Sequence, residues 1–468
     1  MKKETGIQNA FKAGIWYTIS TLLVKSIGII STPLFTRMMT TADYGLAATF
    51  NTWYSLFAIV CSLNVGYSVS RAKVDFGDKF EKYIGVLQVL CTLVTLAFFG
   101  IVMIFIRPAE RLIGMDRTAI IILFVYLLFG TVVSIYQSMY RFRYEYKQNI
   151  CISIFIAVAT VIFSLVFISF ASKKYMGKII GTALPAVILG IYFWIDSIKR
   201  KTINFNREYC KYALAFSLPL IVHSISIYVL GQSDRLMVKA FCGDSITGIY
   251  SLVYQYAVLV MLVTNSVNQA WNPWFHDMFA EGNFNLIRNK IKPLLMLGAY
   301  LAVGCVAVAP EAVLLLGGEE YLSGLSAVLP LVIGVAVEFV YTQYVIIEIH
   351  QKKTYFVSLG TGIAAILNLC LNYMFIPKFG YVAAAYTTLA SYVVLYIMHL
   401  IITRYALKIH IYQDRVVLLI MVGMMICCSV TTLLYDTIVA RYGLLIVFSI
   451  LFFLYNKDFI MKKLKRQK

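Results

Sequence analysis

The sequence predicts an all-α polytopic membrane protein with about fourteen transmembrane helices. Of its 468 residues, 60% are hydrophobic and only 13% are charged, too few charges to cover the surface of a soluble protein of this size. Apolar runs of about 20 residues, long enough to cross a hydrocarbon core of roughly 30 Å, recur along the whole chain. These runs are continuously hydrophobic and therefore indicate helices, because strands of a membrane barrel alternate between apolar and polar residues. The composition excludes a soluble enzyme.

The hydrophobic runs and the positive charges together predict the topology. An even number of spans places both termini on the same side of the membrane. Of the 41 Lys and Arg residues, 29 lie on the side of the termini and 11 on the opposite side. The positive-inside rule therefore makes both the N and C termini cytoplasmic. The predicted spans are 14–36, 44–66, 83–106, 118–137, 150–171, 179–198, 211–231, 246–270, 291–310, 324–346, 356–376, 381–403, 416–435 and 442–456.

Two similar segments, six spans apart, predict an internal repeat. Leu34–Met39 ends the first span and precedes Asp43–Leu46, whereas Gln232–Met237 ends the seventh and precedes Gly248–Leu252. Each pair combines an Arg beside apolar residues with a Gly/Tyr turn, and an even separation gives the same orientation. The sequence therefore predicts two parallel six-helix bundles and an appendage. The predicted domains are an N-terminal bundle (1–198), a cytoplasmic linker (199–210), a C-terminal bundle (211–403) and two additional C-terminal helices with a basic cytoplasmic tail (404–468).

One face of the first span and one face of the seventh carry polar or small residues. Spacings of three, four and seven residues place them on one side of a helix. Such residues also allow helices to pack closely, so the stripes have a structural explanation as well. The stripes consist of Thr18, Thr21, Lys25, Gly28 and Thr32 in the first span and of Ser217, Ser224, Tyr228, Gly231 and Arg235 in the seventh.

Lys25 is the one Lys or Arg residue that the predicted topology leaves in the interior of a span, more than two residues from its ends. An ammonium group at the bilayer centre costs at least about 2.5–3.5 kcal/mol on insertion scales. Such a group persists where it pairs with an anion or faces a wet cavity, although a lysine near a helix end can reach the interface instead. About half a helix lies on either side of Lys25, which favours the cavity. Arg37 and Arg235 lie near span ends, where an interfacial anchor is the default interpretation.

Several other polar residues are predicted to lie within spans. Glu338 is the carboxylate deepest in a span. Three roles fit this position: a salt partner of a cation such as Lys25, a coupling-ion site, or a protonated group against helix backbone. The sequence does not separate these alternatives. His223 is a hydrogen-bonded helix histidine or a proton carrier. The polar residues predicted to line the cavity are Thr18, Thr21, Thr32, Ser224, Tyr228, Asn265, Asn268 and Gln269.

A cavity lined by cations with few carboxylates suits an anionic substrate. Phosphate and pyrophosphate groups are bound by Arg and Lys through charge-assisted hydrogen bonds. Moving a doubly charged pyrophosphate out of an inside-negative cytoplasm gains about 2.3 kcal/mol per charge for each 100 mV, which favours export. The sequence predicts no cofactor and no metal, and it leaves coupling to H⁺, to Na⁺ or to the membrane potential open.

Three segments resemble polysaccharide exporters of the MOP superfamily. They are Pro33–Arg37 with Asp43–Leu46, Asn268–Phe275, and the Pro–Gly turn within Leu371–Ala385. The resemblance implies the MATE-like arrangement of two six-helix bundles with fourteen helices in all, and export of a lipid-linked oligosaccharide. The most similar group is the O-antigen or capsule repeat-unit flippases (Wzx type), which move undecaprenyl-pyrophosphate-linked units outward across the bacterial inner membrane.

The resemblance also carries expectations about the site and the partners. It implies cavity cations around the lipid pyrophosphate, a role that Lys25 and Arg235 fit by position and face. Arg37 matches the first motif, as a ligand or as a structural residue. The first half lacks the dense row of cavity arginines expected of peptidoglycan-precursor flippases. The expected partners are the lipid-linked oligosaccharide, membrane lipids, and the polymerase and chain-length machinery of lipopolysaccharide or capsule synthesis; no nucleic acid is expected, and the protein is expected to be a monomer.

Two other functions remain as alternatives. The first is a cation-coupled multidrug exporter of the MATE type, in which Glu338 is the coupling acid. The second is a membrane glycosyl polymerase, which requires an external catalytic loop. No connecting segment of this chain is long enough to house one, so a transporter is favoured over an enzyme.

Overall fold

The protein is helical throughout the part described by its computed structural model. The structure describes the backbone of residues 2–455 and the side chains of residues 16, 19–218, 220–450, 452 and 454. Within that part there are helices, turns and bends but no strand. The side chain of Thr18 and the basic tail after residue 455, both named in the sequence predictions, lie outside the described residues. The predicted all-α class is confirmed.

The chain divides into two compact units, Met1–Gly248 and Ile249–Lys468. The first unit contains nine helices and the start of a tenth. They are α1 (Lys2–Met38), α2 (Thr41–Cys61), α3 (Gly66–Phe76), α4 (Phe80–Ile104), α5 (Ile106–Ile113), α6 (Arg117–Phe142), α7 (Tyr146–Phe170), α8 (Lys174–Lys199), α9 (Arg207–Cys242) and α10 (Asp244–Ala280).

The second unit contains the rest of α10 and six further helices. A 3-10 segment, Glu319–Gly324, precedes one of them, and a π-helical turn, Ile402–Ala406, follows another. The helices are α11 (Phe284–Gly317), α12 (Leu325–His350), α13 (Thr354–Phe379), α14 (Tyr381–Ile401), α15 (Asp414–Leu433) and α16 (Ile438–Tyr455).

The helices agree with the predicted spans in order, while several differ in length. Fourteen of the sixteen described helices have at least 18 residues. By length and hydropathy, eleven segments of the described part of the chain qualify as membrane spans. The number is twelve if α9, which is bent by 43°, is counted as one span. Thr41–Ile104 is counted as a single segment, although it contains both α2 and α4. The exact number of fourteen and the cytoplasmic position of the termini therefore stay predictions. The short helices α3 and α5 were not predicted.

Capping residues explain where several helices begin. The Thr40 side chain accepts a hydrogen bond from a backbone N–H in the first turn of α2, and Asp116 and Asn206 do the same for α6 and α9. Burial alone would raise the pKa of Asp116. Hydrogen bonds from the helix N-terminus, Lys173 and Tyr175 outweigh burial and hold that pKa below its ordinary value. The carboxylate therefore stays charged and stabilises the start of α6.

Each unit is held together by extensive contacts between neighbouring helices. In the first unit, α8 packs along α7 and α6, α1 packs along α7, and α9 packs on α2, α3 and α4. In the second unit, α14 packs along α12 and α13, and α11 packs along α15. The helix α9, which opens the predicted C-terminal bundle at residue 211, lies in the first compact unit. Compactness and bundle membership are different criteria, so the predicted domain boundaries stay a prediction.

The two glycines of the predicted repeat contact each other inside the first unit. A methyl group at Gly45 would overlap the Asp244 carbonyl oxygen and lie 2.8 Å from the Gly248 nitrogen. Reciprocally, a methyl group at Gly248 would overlap the Thr41 carbonyl oxygen and lie 3.1 Å from the Gly45 nitrogen. The predicted Gly/Tyr turns are therefore wrong in detail, because both glycines lie inside helices, four residues after the first residue. They are needed there because the starts of α2 and α10 cross in direct backbone contact.

A buried hydrogen-bonded cluster joins three helices of the first unit. Ser197 on α8 donates to Gln88 Oε1 on α4 at 2.8 Å, and its hydroxyl lies 2.5 Å from the Tyr136 hydroxyl on α6. All three side chains are buried, and the Tyr136 ring stacks on Phe193 at 4.1 Å between centroids. Ser197 is thus the central member of a polar cluster inside an apolar core.

Replacing Ser197 by alanine is expected to lower the free energy of unfolding by about 2 kcal/mol. The substitution leaves Gln88 Oε1 and the Tyr136 hydroxyl without this partner, and a buried polar group left unsatisfied costs about 1–3 kcal/mol. Thermal unfolding of the purified protein measures the effect. Ser169→Ala is the control, because the exposed Ser169 hydroxyl only bonds a carbonyl of its own helix. Equal unfolding temperatures for both variants would contradict the assignment.

Candidate functional site

The candidate site of the first unit is built on α1 and α9, the helices that carry the two predicted polar stripes. Both helices contact α2, so α2 connects them. The charge count assigns the C-terminal ends of α1 and α9 to the outer side of the membrane.

Lys25 lies in α1 with its side chain exposed. Thr21 and Gly28, one turn to either side, are exposed as well, so this part of the stripe is on the protein surface. Among the described residues, none forms a hydrogen bond or ion pair with the Lys25 ammonium group. An ammonium group on the exposed face of a span is tolerated where water or an anion reaches it, because hydrocarbon would disfavour the charge. The exposure of Lys25 is compatible with anion binding, which stays a prediction.

The stripe of α1 becomes buried at Thr32, where it meets α2. The Thr32 hydroxyl donates to the Gly28 carbonyl oxygen at 2.9 Å and is hydrogen-bonded to the Tyr44 hydroxyl. The Arg235 guanidinium on α9 acts electrostatically on the same Tyr44 hydroxyl, and its Nη1 donates to Gln232 Oε1 at 2.7 Å. Tyr44 therefore connects a predicted site residue of α1 with one of α9.

Two further predicted residues of α9, Ser224 and Tyr228, are engaged in helix packing. Asn64 Nδ2 donates to Ser224 Oγ at 2.8 Å, and the Tyr228 hydroxyl donates to the Thr52 carbonyl oxygen. Both contacts hold α9 against α2 and the turn that follows it. His223 is half-buried, and its Nδ1 has no hydrogen-bond partner among the described residues. The hydroxyls of Ser224 and Tyr228 thus have a structural role in this conformation, whatever else they contact.

Lys178 is a cation that lies between two of the predicted spans, 150–171 and 179–198. The structure places it in the second turn of α8, half-buried, with its ammonium nitrogen 3.2 Å from the centroid of the Phe35 ring. This is a cation–π contact, which partly replaces lost hydration. Arg37 is exposed two residues beyond Phe35. Hydropathy alone could not find Lys178, because a span boundary drawn from hydropathy is uncertain by about one helical turn.

In the second unit, the predicted residue Asn268 of α10 bonds two residues of α12, the helix that carries Glu338. The side chain of Asn268 donates to Thr342 Oγ1 at 3.3 Å and accepts from Gln343 Nε2 at 2.9 Å. Glu338 lies one turn before Thr342 on α12, and the Tyr392 hydroxyl of α14 is hydrogen-bonded to its carboxyl group. The structure therefore pairs Glu338 with a tyrosine within its own unit. The other two predicted polar residues of α10, Asn265 and Gln269, have exposed side chains.

Comparison with known proteins assigns the chain to a family. Residues 10–279, more than half of the chain, match the protein family described as "Polysaccharide biosynthesis protein". The chain belongs to this family. One relative of this family member is "Lsg locus putative protein 1" of Haemophilus influenzae, which is 24% identical over 284 residues, covering 58% of this chain and 67% of that protein.

Solved structures of MOP-superfamily transporters share its fold. The structure of "Lipid II flippase MurJ, inward closed conformation" aligns with a TM-score of 0.73 at 16% identity, covering 95% of this chain and 100% of that one. An inward-facing multidrug resistance MATE family transporter aligns with a TM-score of 0.65 at 14% identity, covering 84% and 98%. The MATE-like fold predicted from three sequence segments is thereby confirmed.

Family and fold together define the class of the protein. The matched family is described as a polysaccharide biosynthesis protein, and the two structural neighbours are a flippase and a transporter, which agrees with the prediction of a transporter rather than an enzyme. This family member is a multi-pass membrane protein that acts in polysaccharide biosynthesis.

Proposed function

We propose that the protein flips an undecaprenyl-pyrophosphate-linked O-antigen or capsule repeat unit from the cytoplasmic to the outer leaflet of the bacterial inner membrane by alternating access. The observation that supports this most directly is the exposed Lys25 ammonium group inside a span, without a bonded acceptor among the described residues. In a member of a polysaccharide biosynthesis family, a lipid-linked pyrophosphate supplies the anion that such a cation requires.

Two cations of the first unit have complementary positions for this role. Lys25 and Thr32 are seven residues apart on α1, which is about 10 Å along the helix axis. Because Thr32 and Arg235 both interact with Tyr44, Arg235 lies nearer the outer end of α1 than Lys25 does. We propose that the pyrophosphate is engaged by Lys25 and Arg235, with Arg37 as a further cation at the outer end.

The driving force follows from the same charges. Each negative charge that leaves an inside-negative cytoplasm gains about 2.3 kcal/mol per 100 mV, so the membrane potential favours outward movement of pyrophosphate. We propose that no cofactor takes part, and that the membrane potential or a gradient of H⁺ or Na⁺ supplies the energy. The polysaccharide polymerase and the chain-length machinery are the proposed protein partners of a monomeric flippase.

A cation-coupled drug exporter is the second candidate function. The half-buried Glu338 carboxyl group, bonded to Tyr392 in the second unit, favours it because drug exporters that exchange with cations need an acidic coupling group. The MATE-like fold is compatible with both functions. The two proposals differ in the substrate class and can be separated in living cells.

Deletion of the protein in its bacterial host is expected to abolish the surface glycan, and expression from a plasmid is expected to restore it. The immunoblot of surface polysaccharide measures this effect. Susceptibility to a panel of cationic drugs, measured in the same strains, is expected to stay unchanged. Intact surface glycan together with increased drug susceptibility in the deletion strain would contradict the flippase proposal and support the drug exporter.

A further inference from the structure

A buried acid–base pair joins α12 and α14 near the end of the second unit that the charge count assigns to the cytoplasm. His399 Nδ1 and Glu348 Oε1 are 2.7 Å apart, and both side chains are fully buried. Each residue lies two positions before the last residue of its helix. Because a buried carboxylate without compensation is costly, this pair requires an explanation beyond helix packing.

The two outer atoms of the pair are each able to accept a proton. Glu348 Oε2 and His399 Nε2 are buried and have no hydrogen-bond partner among the described residues. When Nδ1–H donates to Oε1, both remaining atoms are acceptors that face no donor. One added proton, on either Oε2 or Nε2, converts one of them into a donor and removes the net negative charge. The pair is therefore suited to bind a single proton reversibly.

The surroundings of the pair are aromatic rather than charged. The Tyr341 ring stacks on the His399 ring at 5.7 Å between centroids, and Gly360 of α13 packs against the edge of His399 that carries Nε2. Titratable or charged groups also lie on the adjoining parts of the elements packed around the pair. They are Arg288, Lys290 and Lys292 on α11, Tyr341, Tyr344 and His350 on α12, Tyr355 on α13, Tyr392 and Tyr396 on α14, Arg404 and Tyr405 in the π-helical turn, and Asp414 and Arg415 on α15.

Arg404 and Asp414 do not neutralise the pair, because they bond each other. The Arg404 Nε donates to Asp414 Oδ2, and the Tyr344 hydroxyl donates to Asp414 Oδ1 at 3.1 Å. This neighbouring ion pair has a net charge of zero. The charge of the Glu348–His399 pair therefore depends on its own proton.

Titratable side chains continue from the pair in both directions along α12. Toward the middle of the span, Tyr341 lies between His399 and Tyr392. The ring centroids of Tyr341 and Tyr392 are 6.1 Å apart, and the Tyr392 hydroxyl is hydrogen-bonded to Glu338. Glu338 and Glu348 are ten residues apart, or about 15 Å along the helix, half the thickness of a hydrocarbon core. Toward the helix end, the Nδ1 atoms of His350 and His276 are 2.9 Å apart.

We propose that the Glu348–His399 pair is a proton-binding site that couples export to the transmembrane proton gradient, an inference that rests on the proposed flippase function. With the proton bound, the pair is neutral and stays buried between α12 and α14. Loss of the proton to water leaves the carboxylate charged, which favours a conformation in which water reaches the helix ends. A proton that enters from the outside by way of Glu338 leaves on the cytoplasmic side past His350 and His276.

The first test measures proton binding without glycan. Full-length protein in liposomes is studied by infrared difference spectroscopy between acidic and basic buffer, where protonated carboxyl and imidazolium groups have separate bands. The variants are Glu348→Gln and His399→Gln, which keep the side-chain size and a hydrogen-bonding amide. The control is Glu320→Gln, which removes an exposed carboxyl group of the same unit. Both test variants are expected to lose the same pH-dependent band, which the wild type and the control retain.

The second test measures coupling in cells. Collapse of the pH gradient with a K⁺/H⁺ exchanger is expected to reduce export of surface glycan by the wild type, by up to about tenfold for each pH unit and coupled proton. Glu348→Gln and His399→Gln are expected to export less and to ignore the collapse, whereas Glu320→Gln responds like the wild type.

The outcomes distinguish the two proposals. Retention of every pH-dependent band in both test variants, or export by them that still follows the gradient, would overturn the proton site. Wild-type export that is insensitive to the gradient would also overturn it while leaving the flippase intact. A band that is lost in both variants, in a protein whose deletion leaves the surface glycan unchanged, would retain the proton site and overturn the proposed function.

Discussion

Replacing Lys25 by alanine is expected to reduce export of the surface glycan by about 10- to 100-fold, because a hydrogen bond to a charged group contributes about 1.5–3 kcal/mol. The ammonium group is exposed and bonds none of the described residues, so its removal breaks no internal contact of the protein. The loss should therefore affect transport and leave folding unchanged. Surface glycan by immunoblot and thermal unfolding of the purified variant measure the two quantities.

Three comparisons make this prediction specific. Lys25→Arg keeps the positive charge and is expected to export within a few-fold of the wild type, although its geometry differs. Lys79→Ala removes an exposed lysine of the short 3-10 helix between α3 and α4 and is expected to have no effect. Drug susceptibility should not change in any of these strains. Normal surface glycan in the Lys25→Ala strain would show that Lys25 does not belong to the substrate site.

The fold was predictable because it depends on local patterning of the chain. A membrane span closes its own backbone hydrogen bonds and only needs about 20 mainly apolar residues, a property visible in the sequence without knowledge of neighbours. Turn chemistry is equally local: Gly380 has φ of 71° and separates α13 from α14, as the Pro–Gly motif indicated. The helix order therefore follows from local patterning, and the MATE-like class follows from the resemblance of three segments to a known family.

Helix ends and contacts were less predictable, because they depend on distant partners. The polar segment Gln232–Arg235 indicated the end of a span, yet α9 continues to Cys242. Ser233 and Asp234 are buried inside the protein, so polarity there did not mark a loop. The Glu348–His399 pair joins residues 51 positions apart, and periodicity shows which residues share a face but not which helix covers it.

For the candidate site, too, local features were predictable from the sequence and contacts between helices were not. The stripes on α1 and α9 were visible as spacings, and the exposure of Lys25 agrees with the predicted face. The sequence did not show that Ser224 and Tyr228 bond α2, nor that Tyr44 links Thr32 with Arg235. Whether a hydroxyl on such a stripe faces a cavity or a neighbouring backbone depends on the helix opposite, which a single sequence does not identify.

Replacing Gly45 by alanine is expected to lower the free energy of unfolding by about 3 kcal/mol or more, because the added methyl group would overlap a backbone carbonyl oxygen. The overlapping atom belongs to Asp244 in the first turn of α10, so no side-chain rotation can relieve the contact and the helix ends must separate. Thermal unfolding and the fraction of monodisperse protein after solubilisation measure the effect. Gly28→Ala is the matched control, since a methyl group there meets no atom within 4 Å, and in a helix it should be neutral or stabilise by up to about 1 kcal/mol.

Because each of the two glycines lies against the backbone of the other helix, a double substitution gives a further test. Gly248→Ala overlaps the Thr41 carbonyl oxygen in the same way and should destabilise the protein as much as Gly45→Ala does. Both methyl groups force the same two helix ends apart, so the double variant should lose clearly less stability than the sum of the single losses. Additive losses would mean that the two glycines act independently, and a Gly45→Ala protein as stable as Gly28→Ala would mean that α2 and α10 do not cross in backbone contact.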